Sequence, residues 1–201
     1  MIIYILRHGQ TEYNRLGIVQ GSGVDSDLNA LGRQQAQAFY EAHRDKDFQL
    51  LVTSRLKRTH QTVAAFIESG IQWTQTADIN EICWGDHEGR SATPSLMAAY
   101  ENVIEAWKNN DLDAALPNGE TARQLKERLE RFIAWLRTRP AERVLVCTHG
   151  RTIRALIPML KGKSISQMEE TEHSNTGCYV LYFENGIFHL VEENSTAHLN
   201  G

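Results

Sequence analysis

Residues 2–14, Ile-Ile-Tyr-Ile-Leu-Arg-His-Gly-Gln-Thr-Glu-Tyr-Asn, decide how the chain is organised. They begin with an apolar run, Ile2 to Leu6, whose β-branched and aromatic side chains predict a strand buried on both faces. The strand stops at Arg7-His8-Gly9, and ligand sites in open α/β sheets lie outside the carboxyl ends of the strands. Arg7 and His8 are therefore candidates for anion binding and nucleophilic chemistry. Gly9 allows a positive φ or a close approach to the backbone.

A second segment repeats this arrangement. The apolar run Val144 to Cys147 predicts another buried strand, and Thr148-His149-Gly150 follows it directly. A helix is predicted over 152–160. His149 is thus expected at the same edge of the sheet as His8.

The elements between and after these strands predict the fold class. Periodicity and capping residues predict helices over 30–43, 56–69, 94–110 and 121–139, with Asn29 as the first N-cap, and strands over 48–52 and 71–77. A hairpin over 178–183 and 187–191 turns at Glu184-Asn185-Gly186, a type I′ signal. This order predicts an α/β fold: a three-layer α/β/α sandwich with a mostly parallel sheet and an antiparallel edge strand. The length of 201 residues fits one domain, residues 1–201.

Right-handed crossovers place the carboxyl ends of parallel strands along one edge. Five chemically active residues follow predicted strands and should meet there: Arg7, His8, Arg58, Glu81 and His149. Taken singly, Arg58 is better explained as part of a solvated basic helix face, and the alternative for Glu81 is an exposed loop residue. Their expected placement together at one edge of the sheet favours a functional site.

Such a set suits phosphoryl transfer. Arginine guanidinium groups match phosphate oxygens and stay charged. A neutral imidazole is a good nucleophile, so one histidine could take the phosphoryl group while the other, protonated, donates to its oxygens. Glu81 lies between Ile79 and Ile82, and a carboxyl group in partly apolar surroundings is suited to protonate the leaving oxygen and later deprotonate water. Metal is not required for this chemistry.

Two other kinds of site are less well supported by the sequence. A metal site from His8, Glu81, His87 and His149 lacks the H-E-x-x-H and H-x-H patterns, and the arginines beside the histidines would repel a divalent cation. A serine triad fails because no G-x-S-x-G occurs.

Composition limits the partners. The formal net charge of −4 argues against nucleic acid as the main partner. The three cysteines form no C-x-x-C pair, so a reducing cytosol is the simpler expectation, and no apolar stretch approaches the ~20 residues that span a membrane. A homodimer is left open, since an exposed apolar patch cannot be told from a core face in a sequence.

Four motifs together resemble the histidine phosphatase superfamily, which contains cofactor-dependent phosphoglycerate mutases and related phosphatases. They are Arg7-His8-Gly9-Gln10-Thr11 with Asn14, Thr53 to Thr62 around Arg58, Asn80 to Gly89 around Glu81, and Thr148-His149-Gly150. The resemblance covers essentially the whole chain and implies a phosphoglycerate mutase-like fold. It also implies that His8 is the phosphorylated nucleophile and Glu81 the proton donor.

The resemblance also implies the binding residues. Arg7, Arg58 and His149 would form a phosphate pocket with His8, and Asn14 and Gln20 match positions that contact phosphate or substrate. The predicted substrate- and phosphate-binding set is Arg7, His8, Asn14, Gln20, Gly21, Arg58, His149, Gly150 and Arg151. On composition alone, Asn14 and Gln20 are equally explained as turn residues of the predicted loop over 10–27.

Two residues depart from the family pattern. His87 stands where related phosphatases usually have tryptophan. Arg151 follows the second His-Gly, where many phosphatases have a small residue and mutases an asparagine. Since it begins a helix, Arg151 could bind a second anionic group of the substrate.

The sequence therefore predicts a phosphatase that hydrolyses a small phosphorylated metabolite through a phosphohistidine, without metal or cofactor. The chain is shorter than typical mutases and is expected to lack the long insertion that they carry after the Glu81 region. A mutase, primed by 2,3-bisphosphoglycerate, is the enzymatic alternative. A non-catalytic phosphate-binding domain is the other, although a binder has no need of Glu81.

Overall fold

A computed structural model of the protein describes residues 1–200, so Gly201, the last residue of the predicted domain, lies outside it. The strands are β1 (Ile2–Arg7), β2 (Leu50–Thr53), β3 (Gln72–Gln75), β4 (Arg143–Thr148), β5 (Cys178–Glu184) and β6 (Ile187–Ser195). The helices are α1 (Glu12–Leu16), α2 (Ala30–His43), α3 (Lys57–Thr62), α4 (Ala64–Glu68), α5 (Pro94–Lys108), α6 (Ala122–Arg137) and α7 (Gly150–Leu160).

The strands form one six-stranded sheet in the order β3-β2-β4-β1-β5-β6. The pairs β1 with β4, β4 with β2, and β2 with β3 are parallel, whereas β5 is antiparallel to both β1 and β6. The predicted mostly parallel sheet is confirmed, with one refinement: β5 lies next to the edge, and β6 is the edge strand. The carboxyl ends of β1, β2 and β4 share one edge.

Apolar side chains alternate between the two faces of the sheet, and a hydrophobic core lies on each face. Ile3 and Ile5 of β1 face a large apolar cluster that includes side chains of α5, α6 and α7. Leu6 belongs to a smaller cluster with Phe39 of α2 and Phe66 of α4. Because successive strand residues point to opposite faces, β1, β2, β4 and β5 each supply both cores. The sheet is therefore covered on both sides, which confirms the three-layer sandwich.

Capping and turn residues in the sequence correctly predicted the start of α2 and the turn between β5 and β6. Asn29 caps α2 as predicted, since its side chain accepts a hydrogen bond from the backbone N–H of Gly32. Asn185 and Gly186 have φ values of 52° and 81°, and positive φ at both positions is what a type I′ hairpin turn requires. Among residues 1–200, no helix combines the length and apolar character needed to cross a membrane.

Two predicted segments differ from the structure. The predicted loop over 10–27 contains the short helix α1, where Thr11 and Asn14 form a capping box. The predicted helix over 56–69 is divided into α3 and α4 at Val63, whose φ and ψ of −115° and 19° leave the helical region. Short elements of five or six residues carry too little periodicity to be read from the sequence.

Candidate active site

His8 follows β1 and is 2% exposed. Its Nδ1 lies 2.7 Å from the carbonyl oxygen of Gly9. A carbonyl only accepts, so Nδ1 carries the ring proton and Nε2 keeps its lone pair. Burial first, and then the charges of Arg58 and Arg7, hold the pKa of His8 well below its ordinary value of 6.5. The ring is therefore neutral, with Nε2 available for nucleophilic attack.

Gly9 allows the backbone that follows β1 to pass close to the backbone of α2. A Cβ at this position would lie 2.5 Å from the carbonyl oxygen of Gly32 in α2, so a larger residue would force the two segments apart. The N–H of Gly9 donates to Thr62 Oγ1 of α3 at 2.9 Å. These contacts fix the backbone that orients the His8 ring.

Arg7 lies beside His8 at the end of β1. Its Nε is buried, and within residues 1–200 that atom has no hydrogen-bond partner. Burial lowers the pKa of Arg7 to about 10, opposed by the nearby charge of Glu81, so the side chain remains cationic at neutral pH. An unpartnered buried guanidinium N–H next to a nucleophile is suited to bind an anion.

Arg58, His149 and Ser54 form a buried hydrogen-bonded chain. Arg58 Nε donates to His149 Nδ1 at 3.1 Å, and His149 Nε2 lies 2.8 Å from Ser54 Oγ. Since Nδ1 accepts from arginine, Nε2 carries the proton and donates to the serine. The rings of His149 and His8 are 5.2 Å apart between centroids. Arg58 and His149 thus lie with His8, as the sequence predicted.

The state of His149 differs from the prediction. Burial, followed by the charges of Arg58 and His8, holds the pKa of His149 well below 6.5. Both ring nitrogens already have partners. The His149 ring is therefore neutral in this structure, whereas the sequence analysis expected a protonated one, and its membership of the phosphate pocket stays a prediction.

Arg58 also holds the loop that follows α1. Its NH1 donates to the carbonyl of Val24 at 2.7 Å, and its NH2 to that of Gly21 at 3.1 Å. A Cβ on Gly21 would lie 2.4 Å from the backbone carbonyl oxygen of Ile82, so only glycine fits there. Gln20 stays within this loop: Nε2 donates to Thr11 Oγ1 at 2.9 Å, and Oε1 accepts from Ser26 Oγ. In this arrangement Gln20 supports the loop, and Gly21 allows its close packing.

Glu81 reaches the N-terminus of α7 and is 8% exposed. Its Oε2 accepts from the N–H of Arg151 at 3.1 Å, and its Oε1 accepts from the N–H of Thr152 at 3.1 Å and from the N–H of Ile82 at 3.0 Å. The surroundings of this carboxyl group are therefore more polar than its apolar sequence neighbours suggested. Oε2 has the single partner, so it is the carboxyl oxygen with more capacity for a further hydrogen bond.

Asn14 is joined to His8 by Asn175, which the sequence reasoning missed. Asn175 Nδ2 lies 3.0 Å from the carbonyl oxygen of His8 and 3.3 Å from Asn14 Oδ1. Asn14 Oδ1 also accepts from the N–H of Thr11. With its oxygen used in this way, the amide NH2 of Asn14 is the end that can donate to a ligand. No local pattern marks Asn175, because it precedes β5 and is remote in sequence from both partners.

The Arg151 side chain, predicted to bind a second anionic group of the substrate, has partners within the chain. Its NH1 pairs with Glu169, which also accepts from Arg154 NH1 at 2.6 Å, and its NH2 contacts the hydroxyl of Tyr100. The guanidinium carbon lies 5.6 Å from the centre of the Trp84 ring. Glu169 therefore already provides a counter-charge, and it is the backbone N–H of Arg151 that contacts Glu81.

His173 lies beside Gly150 at the start of α7. A Cβ on Gly150 would lie 2.9 Å from its ring, so glycine at 150 permits this contact. Its buried Nδ1 lacks a hydrogen-bond partner in the range 1–200. Burial, and then the charges of Arg7, Arg154 and Arg151, lower the pKa of His173 to about 3. His173 is thus a further neutral histidine beside the cationic groups.

The four residues considered as metal ligands in the sequence analysis do not form a ligand cluster in the described structure. Within residues 1–200, no group of three or more His, Cys, Asp or Glu side chains could hold a metal ion. His87, one of its four proposed ligands, lies in the short 3₁₀ helix Gly85–His87 and lines a separate cavity with Val19 and Tyr100.

We expect the protein to lose stability as the pH falls below 6.5. The pKa values of His8 and His149 lie well below 6.5 in the fold, and that of His173 is about 3, whereas all three titrate near ~6.5 when unfolded. Below that pH the unfolded chain binds more protons, so the free energy of unfolding falls as the pH decreases. Above it these residues contribute no pH dependence. Urea unfolding between about pH 7.5 and 4.5 measures the slope.

His173→Asn should reduce this slope, because it removes one proton-binding difference. The matched control is His189→Asn, since His189 is exposed on β6 and should leave the slope unchanged. An equal slope in all three proteins would show that His173 is not held neutral by the fold.

Comparison with known proteins gives a consistent result. The family model of the histidine phosphatase superfamily (branch 1) matches residues 3–196. A protein of Hydrogenobacter thermophilus provisionally named phosphoserine phosphatase 2 is 27% identical over 197 residues, covering 98% of this chain and 96% of the relative. A phosphoglycerate mutase of Schizosaccharomyces pombe is 26% identical over 193 residues, covering 90% and 89%.

The same similarity appears in solved structures. The α-ribazole phosphatase from Shigella flexneri superposes on this chain with a TM-score of 0.85 at 27% identity, and the alignment covers 98% of this chain and 97% of that one. The region matched by the family model includes every residue of the site described above.

Proposed function

The chain belongs to branch 1 of the histidine phosphatase superfamily, and we propose that it hydrolyses a small phosphomonoester through a phosphohistidine on His8. Relatives named as phosphatases support this class of hydrolase. The observation that carries the proposal is the state of His8: a buried, neutral imidazole whose Nδ1 bonds Gly9 and whose Nε2 is left for attack. The arginines on either side match an anionic substrate.

In the first step, His8 Nε2 attacks the phosphorus atom. A bond forms between nitrogen and phosphorus, and the bond from phosphorus to the ester oxygen breaks. Arg7, through its unpartnered N–H, and Arg58, through N–H groups not used by the loop, stabilise the charge on the phosphoryl oxygens. Glu81 gives its proton to the departing alcohol oxygen, from Oε2 in our assignment.

In the second step, water attacks the phosphohistidine. Glu81, now a carboxylate, takes a proton from the water, and the bond from phosphorus to His8 Nε2 breaks. Inorganic phosphate leaves, and His8 and Glu81 return to their starting states. The backbone N–H groups at the start of α7 hold the carboxylate in place for both transfers.

Asn14 and Asn175 support the same site. Asn175 donates to the carbonyl of His8 and to Asn14 Oδ1, which leaves the Asn14 amide NH2 as a further donor. Gln20 and Gly21 keep the loop in place above Arg58. We propose no metal or organic cofactor for the hydrolysis.

A mutase is the second candidate, and the relative named phosphoglycerate mutase favours testing it. The wild-type protein should release p-nitrophenol from p-nitrophenyl phosphate in the presence of EDTA, without any bisphosphate. Activity that requires 2,3-bisphosphoglycerate would instead indicate a mutase. No turnover in either assay, together with binding of inorganic phosphate, would indicate a binding domain.

A further inference from the structure

We propose that His198 is a positioning residue for the nucleophile: through Thr176 it holds the support turn, residues 174–177, against the backbone of His8. This inference rests on the proposed function, in which His8 attacks the phosphorus atom. His198 lies in the short 3₁₀ helix Ala197–Leu199 and is not one of the residues proposed to bind phosphate.

The support turn holds the end of β1. The N–H of Thr176 donates to the carbonyl oxygen of Arg7 at 3.1 Å, and the carbonyl of Gly177 accepts from the N–H of Arg7 at 3.2 Å. On the side of β4, the N–H of His8 donates to the carbonyl of Thr148 at 3.0 Å. The backbone that carries the nucleophilic ring is therefore held by β4 on one side and by the support turn on the other.

Thr176 is the unusual member of the support turn. It is fully buried, and its φ of 53° lies in the left-handed region, which β-branched residues rarely adopt. Such a conformation persists only where the surrounding structure determines it, and residues of this kind cluster at functional sites. The strained residue is also the one whose N–H reaches the carbonyl of Arg7, so the groups that fix Thr176 also fix the support of the nucleophile.

His198 is the side chain that fixes Thr176. Among residues 1–200, the hydroxyl of Thr176 has one hydrogen-bond partner, Nε2 of His198 at 3.1 Å. The His198 ring packs edge-on against the buried ring of Phe39 in α2, with 5.2 Å between centroids. Burial, and then the charge of His43, lower the pKa of His198 to about 4, so the ring is neutral at neutral pH. The hydroxyl is thus bonded to a neutral imidazole that a core residue holds in place.

Asn194 of β6 holds the opposite end of the support turn. Its Oδ1 accepts from the N–H of Ser174 at 2.8 Å, and its Nδ2 lies 3.2 Å from Ser174 Oγ. A Cβ on Gly177 would lie 2.0 Å from Asn194 Oδ1, so this contact requires glycine there. The support turn is therefore held at two points by side chains that are remote in sequence from His8.

The arrangement predicts an effect on the chemical step rather than on phosphate binding. Since neither His198 nor Thr176 belongs to the proposed phosphate-binding set, loss of their bond should leave the affinity for phosphate near that of the wild type. It should instead allow the backbone of His8 to shift, and a displacement of roughly 1 Å in a reacting group can cost about 10² in rate. A residue that only stabilised the fold would leave the rate of the folded enzyme unchanged.

The test is a single-turnover measurement, by rapid quenching, of the phosphorylation of His8 by p-nitrophenyl phosphate. His198→Leu should reduce this rate about ten- to a hundredfold, while inorganic phosphate inhibits as it does in the wild type. His198→Gln keeps a donor and an acceptor for Thr176 and should restore most of the rate. The control is His189→Leu, at an exposed position of β6, which should behave like the wild type.

Thr176→Val tests the same bond from its other side. Valine keeps the β-branched shape and loses the hydroxyl, so this variant should show the same reduction in rate as His198→Leu. Combining the two substitutions should cause little further loss, because both remove one interaction. A wild-type rate in either folded variant, or a full multiplication of the two effects in the double variant, would overturn the proposal.

Hydrogen exchange separates the failure of this inference from the failure of the proposed function. The amide of Thr176, which donates to the Arg7 carbonyl, should exchange faster in His198→Leu than in the wild type. Faster exchange in a protein that hydrolyses no phosphate ester would refute the proposed function and leave the support by His198 standing. Unchanged exchange would show that His198 does not hold the support turn.

Discussion

His8→Ala is expected to reduce hydrolysis of p-nitrophenyl phosphate in EDTA by a factor on the order of 10⁴ or more, the scale on which enzymes lose turnover when a covalent nucleophile is removed. The reason is the position of the ring. Its Nδ1 bonds the Gly9 carbonyl and its Nε2 keeps a lone pair, in a place where burial and two arginines keep the ring neutral. Alanine leaves those arginines, so phosphate binding should persist while turnover is lost.

The control uses another histidine of the same chain. His189 is exposed on β6 and takes no part in the proposed mechanism, so His189→Ala should retain full activity. Rapid quenching during turnover should trap an acid-labile, alkali-stable phosphoryl group on the wild type and on His189→Ala. If His8→Ala retains this label, His8 is not the nucleophile and our assignment is wrong.

The fold was predictable because its signals are local. Continuous runs of apolar residues predicted β1 and β4, and a capping asparagine predicted the start of α2 at Ala30. The same runs located His8 and His149, because both follow buried strands that pair in parallel. The sheet edge in the sequence analysis is therefore the edge found in the structure.

The partners of the site residues were not predictable in the same way. Ser54 contacts His149 across 95 positions, and Asn175 contacts the His8 carbonyl across 167. Neither serine nor asparagine carries a local pattern that announces such a contact. Only the packing of β2, β4 and the segment before β5 brings them together, and that information lies in the tertiary structure.

The electrostatic surroundings of the site residues were not predictable for a related reason. The sequence shows that Arg151 begins a helix but not that its guanidinium pairs with Glu169. It shows a histidine after a strand, but not that Arg58 donates to that ring and disfavours its protonation. A charge is interpreted correctly only with its neighbours, and these neighbours come from distant parts of the chain.

Glu81→Gln should change the kinetics in a way that depends on the leaving group. With an alkyl phosphate such as glycerol phosphate, whose oxygen needs a proton, turnover should fall about 10²- to 10⁴-fold, the usual contribution of a general acid. With p-nitrophenyl phosphate, whose oxygen leaves without a proton, the first step should survive. The second step, which needs Glu81 as a base, should then become slow.

The expected signature is a burst. The Glu81→Gln protein should release one equivalent of p-nitrophenol rapidly and then turn over slowly, with the phosphoryl group accumulating on His8. Glycerol phosphate should give no burst and no label. Glu184→Gln, which alters an exposed carboxyl group at the end of β5, should behave like the wild type with both substrates.

A purely structural role for Glu81 would give a different result. The carboxyl group caps α7 through the N–H groups of Arg151 and Thr152, and glutamine replaces one acceptor oxygen by a donor. We therefore expect the stability to fall by about 1 kcal/mol, the typical effect of losing a helix cap. If capping were the whole role, both substrates would lose activity equally and no phosphoenzyme would accumulate. The burst with one substrate and its absence with the other thus separates proton transfer from helix capping.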